Sequence, residues 1–165
     1  MRMGYITMRT SYRREFNAKV LFSFELMTAI FGAVTFILFD KRAFEALTKP
    51  PLTPPLMPFA LTGAMLCATL GAAAYMVWNT YDIDGAAILR MYFIMLIINT
   101  SCPLIFFWLR LRMLSFFCEI ALTAVTTIVM TGFKYIRKAS FYLMIPYLIW
   151  TIYIAYLTLG LYLLN

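Results

Sequence analysis

The run Leu56-Met-Pro-Phe-Ala-Leu-Thr-Gly-Ala-Met-Leu-Cys-Ala-Thr-Leu-Gly-Ala-Ala-Ala-Tyr-Met-Val-Trp78 contains no charged side chain. At about 1.5 Å rise per helical residue it reaches about 34 Å, enough to cross a hydrocarbon core of roughly 30 Å. Its apolar residues are continuous rather than alternating, and it is far longer than a barrel strand, so a helix is what satisfies its backbone in lipid. Outward from it, Val20–Phe39, Ala87–Leu109, Met113–Phe133 and Ser140–Leu164 have the same character. The expectation is an all-α membrane protein, a five-transmembrane-helix bundle, with residues 1–19 as a basic tail and 20–165 as one helical domain.

Composition agrees. The chain is 64% hydrophobic and only 13% charged, with a mean hydropathy of +0.84. Soluble domains run at about 45–50% apolar and about 25% charged, so the excess apolar surface must face lipid. The net charge of +7 lies in short clusters between apolar runs, which suits orientation in a bilayer. It does not suit a nucleic-acid reader, whose basic residues gather on one folded face. Cys67, Cys102 and Cys118 lie inside apolar runs without paired spacing and read as small packing residues rather than a disulfide framework or zinc site. No A-x-A-type cleavage site closes the first apolar run, which reads as a retained helix rather than a removed signal.

Among the connections, Asp40 to Pro55 is the longest and ends Lys49-Pro-Pro-Leu-Thr-Pro-Pro55. That many prolines remove backbone donors and fix φ, so no regular helix forms there. The others are Asn79–Gly85, a tight turn near Arg110–Arg112, and Lys134–Lys138. Short loops make sequential helices antiparallel neighbours. Arg2, Arg9, Arg13, Arg14, Lys19, Arg90, Lys134, Arg137 and Lys138 then share one side, against Lys41, Arg42, Lys49, Arg110 and Arg112 on the other. The imbalance places the N-terminus in the cytoplasm. The basic tail, without a transit-type leader, points to a bacterial cytoplasmic membrane.

In the second helix Ala60, Ala64, Ala68 and Ala72 recur every fourth residue, with Gly63, Cys67 and Gly71 beside them. Small residues at that spacing let helices approach closely in lipid, either within the bundle or in a homodimer. The chain lacks histidine, the commonest general base, and has no phosphate-binding loop, dinucleotide fingerprint or triad; independent catalysis, cofactor and metal are not expected. Asn99 falls mid-membrane, where an unpaired amide is costly, and reads either as interhelical hydrogen-bond glue or as a ligand contact. Cys102 and Phe106 follow it at one-face spacing, and Pro103 loosens the same helix. Trp150 reads as an interfacial anchor or a pocket residue. Glu119, and Glu25 likewise, read as acids near helix starts that complement the helix dipole.

The Pro-rich loop, the second, third and last helices together resemble the TspO/translocator family of tryptophan-rich sensory proteins, also known as peripheral benzodiazepine receptors. The family's K-P-x-W-x-P-P loop is matched by Lys49, Pro50, Thr53, Pro54 and Pro55, and the helix after it by Phe59, Leu66, Gly71, Ala73, Val77 and Trp78. The third helix matches at Leu96, Asn99, Phe106 and Phe107. The last matches at Pro146, Tyr147, Leu148, Trp150, Leu157, Leu164 and Asn165, and Glu119 falls near a family acidic position. The resemblance covers about residues 44–165. Family tryptophans are replaced by Ala43, Leu52, Gly63 and Cys102, a tyrosine by Cys67, a glutamine by Met95, a late asparagine by Thr158 and a late tryptophan by Tyr162. Leu163 stands where the vertebrate cholesterol motif needs a basic residue.

The resemblance implies a membrane receptor or carrier for a flat apolar ligand, a tetrapyrrole such as porphyrin or heme. The implied pocket comprises Phe59, Gly63, Met95, Asn99, Cys102, Phe106, Trp150 and Ile154, between the second, third and fifth spans. Lys49, Pro50, Pro54 and Pro55 would form its lid, with Lys49 or Arg42 meeting ligand carboxylates. Porphyrin photo-oxidation is not expected where Gly63 and Cys102 replace tryptophans. The reading of a different class is a structural or regulatory membrane protein that works through oligomerisation or a partner on the second helix.

Overall fold

A computed structural model describes residues 12–165; Arg2 and Arg9 of the basic tail lie outside the described residues. The elements are β1 (Tyr12–Arg13), α1 (Ala18–Leu38), α2 (Lys41–Ala46), α3 (Leu56–Trp78), β2 (Thr80–Tyr81), α4 (Gly85–Pro103), a π-helical turn (Leu104–Trp108), α5 (Arg112–Ile136) and α6 (Lys138–Leu164). Five of these helices, α4 counted with its π-turn, are long and apolar enough to cross a membrane. The chain is an integral, multi-pass, all-α membrane protein.

Local chemistry sets the helix ends. Asn17 caps α1 by accepting from the Lys19 and Val20 amides, and Asp40 caps the short α2 through the Ala43 amide, each supplying an acceptor for otherwise unpaired N–H groups. Two corrections fall in the connections. The Asp40–Pro55 link is not wholly irregular, because its first half is α2. The expected Lys134–Lys138 loop shrinks to a break at Arg137, whose extended backbone (φ −151°, ψ 114°) ends α5 and starts α6. The turn into α5 is made by Arg110 in the left-handed region (φ 55°). The tail pairs Tyr12 with Tyr81 and Arg13 with Thr80 in a two-residue antiparallel ladder, and the Asn17 amide donates to the Tyr75 hydroxyl at 3.0 Å.

Helix contacts close a ring in the order α1, α3, α6, α5, α4 and back to α1, with α3 also touching α4 across it. The core inside the ring is built from Val77, Tyr92, Met95, Leu96, Leu122, Val129, Phe133, Met144 and Tyr147. Large apolar side chains face outward on every span, for example Phe22, Leu61, Ile97, Phe117 and Ile149, which suits lipid as the outer solvent. On α1 only Thr28 is fully buried. Its hydroxyl donates to the Phe24 carbonyl and pairs with the Tyr92 hydroxyl at 2.9 Å, fixing the helix against α4.

Candidate functional site

The interior face of the ring holds two cavities separated by Phe59. The larger, about 480 Å³, is lined by Thr28, Gly32, Ala33 and Phe36 of α1, by Phe59 to Leu70 along one face of α3, and by Leu96, Asn99, Tyr147 and Trp150. Its rim includes the exposed residues Ala29, Ala33, Phe36 and Ala64, so it opens laterally between α1 and α3. The smaller, about 110 Å³, lies towards the Pro-rich loop and is lined by Phe44, Phe59, Cys102, Phe106, Glu119, Ile154 and Thr158 among others.

Asn99 is half-buried in the larger cavity wall, and its Oδ1 accepts the Tyr147 hydroxyl at 3.2 Å. The amide is therefore held by interhelical bonding on its oxygen, while its N–H2 group makes no hydrogen bond within the described residues. Trp150 sits midway along α6. Its ring lies 5.1 Å from that of Phe59 and 5.6 Å from that of Tyr153, in the range where tilted aromatic pairs attract. Gly63 leaves room: a β-carbon built there meets nothing within 4 Å.

The expected pocket residues divide. Phe59, Gly63, Asn99 and Trp150 come together in the larger cavity, whereas Cys102, Phe106 and Ile154 line the smaller one with Phe59. Met95 is fully buried in the core and lines neither. The spacing that groups Asn99, Cys102 and Phe106 does not hold them in one cavity: Cys102 already lines the smaller one, and beyond it α4 also changes pitch. Pro103 cannot donate an N–H, and the helix widens into the π-turn Leu104–Trp108, closed by Leu109 N to Leu104 O at 3.2 Å. Such bulges rotate the residues beyond them. Glu119 is also displaced from its expected interfacial place: it lies two turns inside α5 and is 6% exposed. Glu25 is likewise two turns inside α1, with its carboxylate against Gly71.

The loop does not cover the larger cavity. Lys49, Pro50, Pro54 and Pro55 line neither cavity; the loop is docked on the end of α6 instead. Tyr153 and Tyr156 donate to the carbonyls of Leu52 and Pro51 at 2.8 and 3.1 Å. The Asn165 side chain accepts the Thr48 amide at 2.8 Å and donates to its carbonyl at 3.0 Å. Pro50 rests where a side chain on Gly160 would stand, 2.7 Å from a built β-carbon. Lys49 places its ammonium 5.1 Å from the centre of the Phe44 ring, a cation–π contact.

The contribution of α1 was not expected. Apart from Thr28 its cavity residues carry no polar marker, yet Ala29, Gly32 and Ala33 are small side chains at helical spacing, the same signal that α3 shows. A sequence model of the TspO/MBR family matches residues 20–163, and so takes in α1 as well. This chain belongs to the TspO/MBR family. Tryptophan-rich protein TspO of Bacillus cereus is 27% identical over 130 residues, covering 76% of this chain and 82% of its own. The uncharacterized membrane protein YtaB of Bacillus subtilis (strain 168) is 27% identical over 141 residues, covering 82% of this chain and 88% of its own. Within this TspO/MBR protein only three tryptophans remain, and of these Trp150 lines the larger cavity.

Proposed function

We propose that this TspO/MBR protein is a membrane receptor or carrier that binds a flat apolar molecule, a tetrapyrrole such as porphyrin or heme, in the cavity bounded by Asn99, Phe59 and Trp150. The observation that carries the reading is that cavity itself. Its volume of about 480 Å³ falls within the roughly 300–1,000 Å³ of small-molecule sites, which are mostly apolar with few placed polar groups. The ligand enters from lipid between α1 and α3 and lies over Gly63, where there is space for a ring. Burial of apolar area contributes about 25 cal/mol per Å², and the Phe59–Trp150 pair supplies an aromatic wall. The Asn99 N–H2 group fixes orientation by donating to a ring or carboxylate acceptor. Lys49 and Arg42 have no place in this site, since neither lines it.

The test is quenching of tryptophan fluorescence by protoporphyrin IX in detergent. Saturable quenching is expected in the parent protein, with affinity about tenfold weaker in Asn99→Ala, the loss of one buried polar contact of about 1.4 kcal/mol. Unchanged affinity in an Asn99→Ala, Trp150→Phe double variant would overturn the assignment.

A second reading, association through α3, has its own supporting observation. Gly63, Cys67 and Gly71 face inward, towards the cavity or α1, Ala64 is exposed on the cavity's rim, and Ala68 is exposed outside it. We place the protein in a bacterial cytoplasmic membrane with its N-terminus in the cytoplasm, on the distribution of basic residues.

A further inference from the structure

Two thiols meet where α4 loosens into its π-turn. The Cys102 and Cys118 sulfurs stand 3.0 Å apart, sixteen positions apart in sequence, and both are free. Cys102 is 1% exposed and lines the smaller cavity beside Glu119, while Cys118 is half-buried on α5 next to the lipid-facing Phe117. The Ser115 hydroxyl, one turn earlier on α5, donates to the Cys102 carbonyl at 3.1 Å, so the two helices are already tied at this level. The third cysteine, Cys67, is elsewhere, on α3 against Gly32. A disulfide has its sulfurs about 2.05 Å apart, so bond formation asks for about 1 Å of approach.

We propose that Cys102 and Cys118 are an oxidisable dithiol that closes to an intramolecular disulfide when an organic hydroperoxide arrives from the lipid phase. Cys118 is the more open thiol and attacks the terminal peroxide oxygen. The O–O bond breaks, the alkoxide leaves as an alcohol with the thiol proton, and Cys118 becomes a sulfenic acid, the first rung of cysteine oxidation. The Cys102 sulfur then attacks the Cys118 sulfur. The S–O bond breaks and the hydroxyl leaves as water with the Cys102 proton. Two electrons pass from the thiols to the hydroperoxide, which ends as one alcohol and one water. The new bond spans the π-turn and the left-handed Arg110, and fixes the wall of the smaller cavity where Cys102 replaces a tryptophan of the resembled family pattern.

The experiment treats the detergent-purified full chain with cumene hydroperoxide and then counts thiols by alkylation under denaturing conditions, with intact mass and peptide mapping. The expected result is loss of two of the three alkylatable thiols, a mass lower by about 2 Da, and a peptide joining Cys102 to Cys118, all reversed by a dithiol reductant. Cys67→Ser retains that behaviour, and Cys118→Ser leaves Cys102 alkylatable. Three surviving thiols in the parent protein, a bond that involves Cys67, or a bond between two copies would each overturn the proposal. The parent chain carries the decisive readout, so a misfolded variant does not rescue the idea.

Discussion

At the residue scale Gly71 meets a neighbouring helix's backbone. A β-carbon there would stand 2.7 Å from the Glu25 carboxylate and 3.0 Å from its Cα, so α1 and α3 touch backbone to backbone at this point. The carboxylate has slack and the Cα has none. Gly71→Leu is expected to lower stability by about 1–3 kcal/mol, the usual cost of overpacking, read as a fall in the midpoint of thermal unfolding in detergent. Gly71 was legible as part of a small-residue stripe, but its partner was not. Glu25 looked like an acid near a helix end, because a carboxylate inside the bilayer is expensive and nothing in sequence reveals that a glycine makes room for it. Asn99 was legible for the opposite reason, since a mid-membrane amide demands a partner; Tyr147 supplies one.

At the element scale the first connection is the informative piece. Its prolines announced an irregular segment, and its role as a cover followed from resemblance. Its actual seat is the end of α6, where Tyr153, Tyr156 and Gly160 recur at helical spacing and, with the capping Asn165, meet Leu52, Pro51, Pro50 and Thr48 in turn. Spacing alone could not show this, because tyrosines near the end of a span read equally well as interfacial anchors. Tyr153→Phe and Tyr156→Phe each remove one hydrogen bond, a net contribution of about 1 kcal/mol. Together they are expected to speed limited proteolysis within Lys49–Pro55 several-fold while leaving the helical circular dichroism unchanged; an unaltered cleavage rate would show that the loop is held by Pro50 and Asn165 alone. The π-turn is the other element that sequence hid. Pro103 signalled a disturbance, but whether a helix kinks, ends or widens after proline depends on what donates to the loosened backbone carbonyls, and here the Ser115 hydroxyl of another helix donates to that of Cys102.

At the scale of the whole molecule, hydropathy alone dictated five spans, since a run of that length has no other stable form in lipid. Ring order was beyond it, because an apolar helix in lipid carries little rotational preference in its sequence: α1 buries only Thr28 yet lines the larger cavity. Two measurements belong here. Ala68→Leu adds bulk to the outer face of α3 without touching the cavity; if α3 mediates association, the crosslinked mass is expected to drop to that of a monomer while porphyrin quenching persists. For orientation, single cysteines at Leu52 and Tyr135, in a background with the native cysteines replaced, are expected to label from opposite sides of intact cells. Leu52 reacts with an impermeant maleimide and Tyr135 only after permeabilisation, both residues being well exposed, at 82% and 78%. Labelling in the reverse pattern would invert the assignment.

The clasp between Thr48 and Asn165 also orders events during synthesis. The two residues are 117 positions apart, so at about 5–20 residues per second the ribosome takes about 6–23 s to deliver the second after the first. Through that interval α1 and α2 are already made, α3 to α6 follow one after another, and the proline segment waits undocked beside a half-built ring. Closure therefore waits until α6 has been made. A variant that loses Asn165 would insert all of its spans on schedule and still present an unseated segment, a defect that membrane proteases would meet before any ligand does.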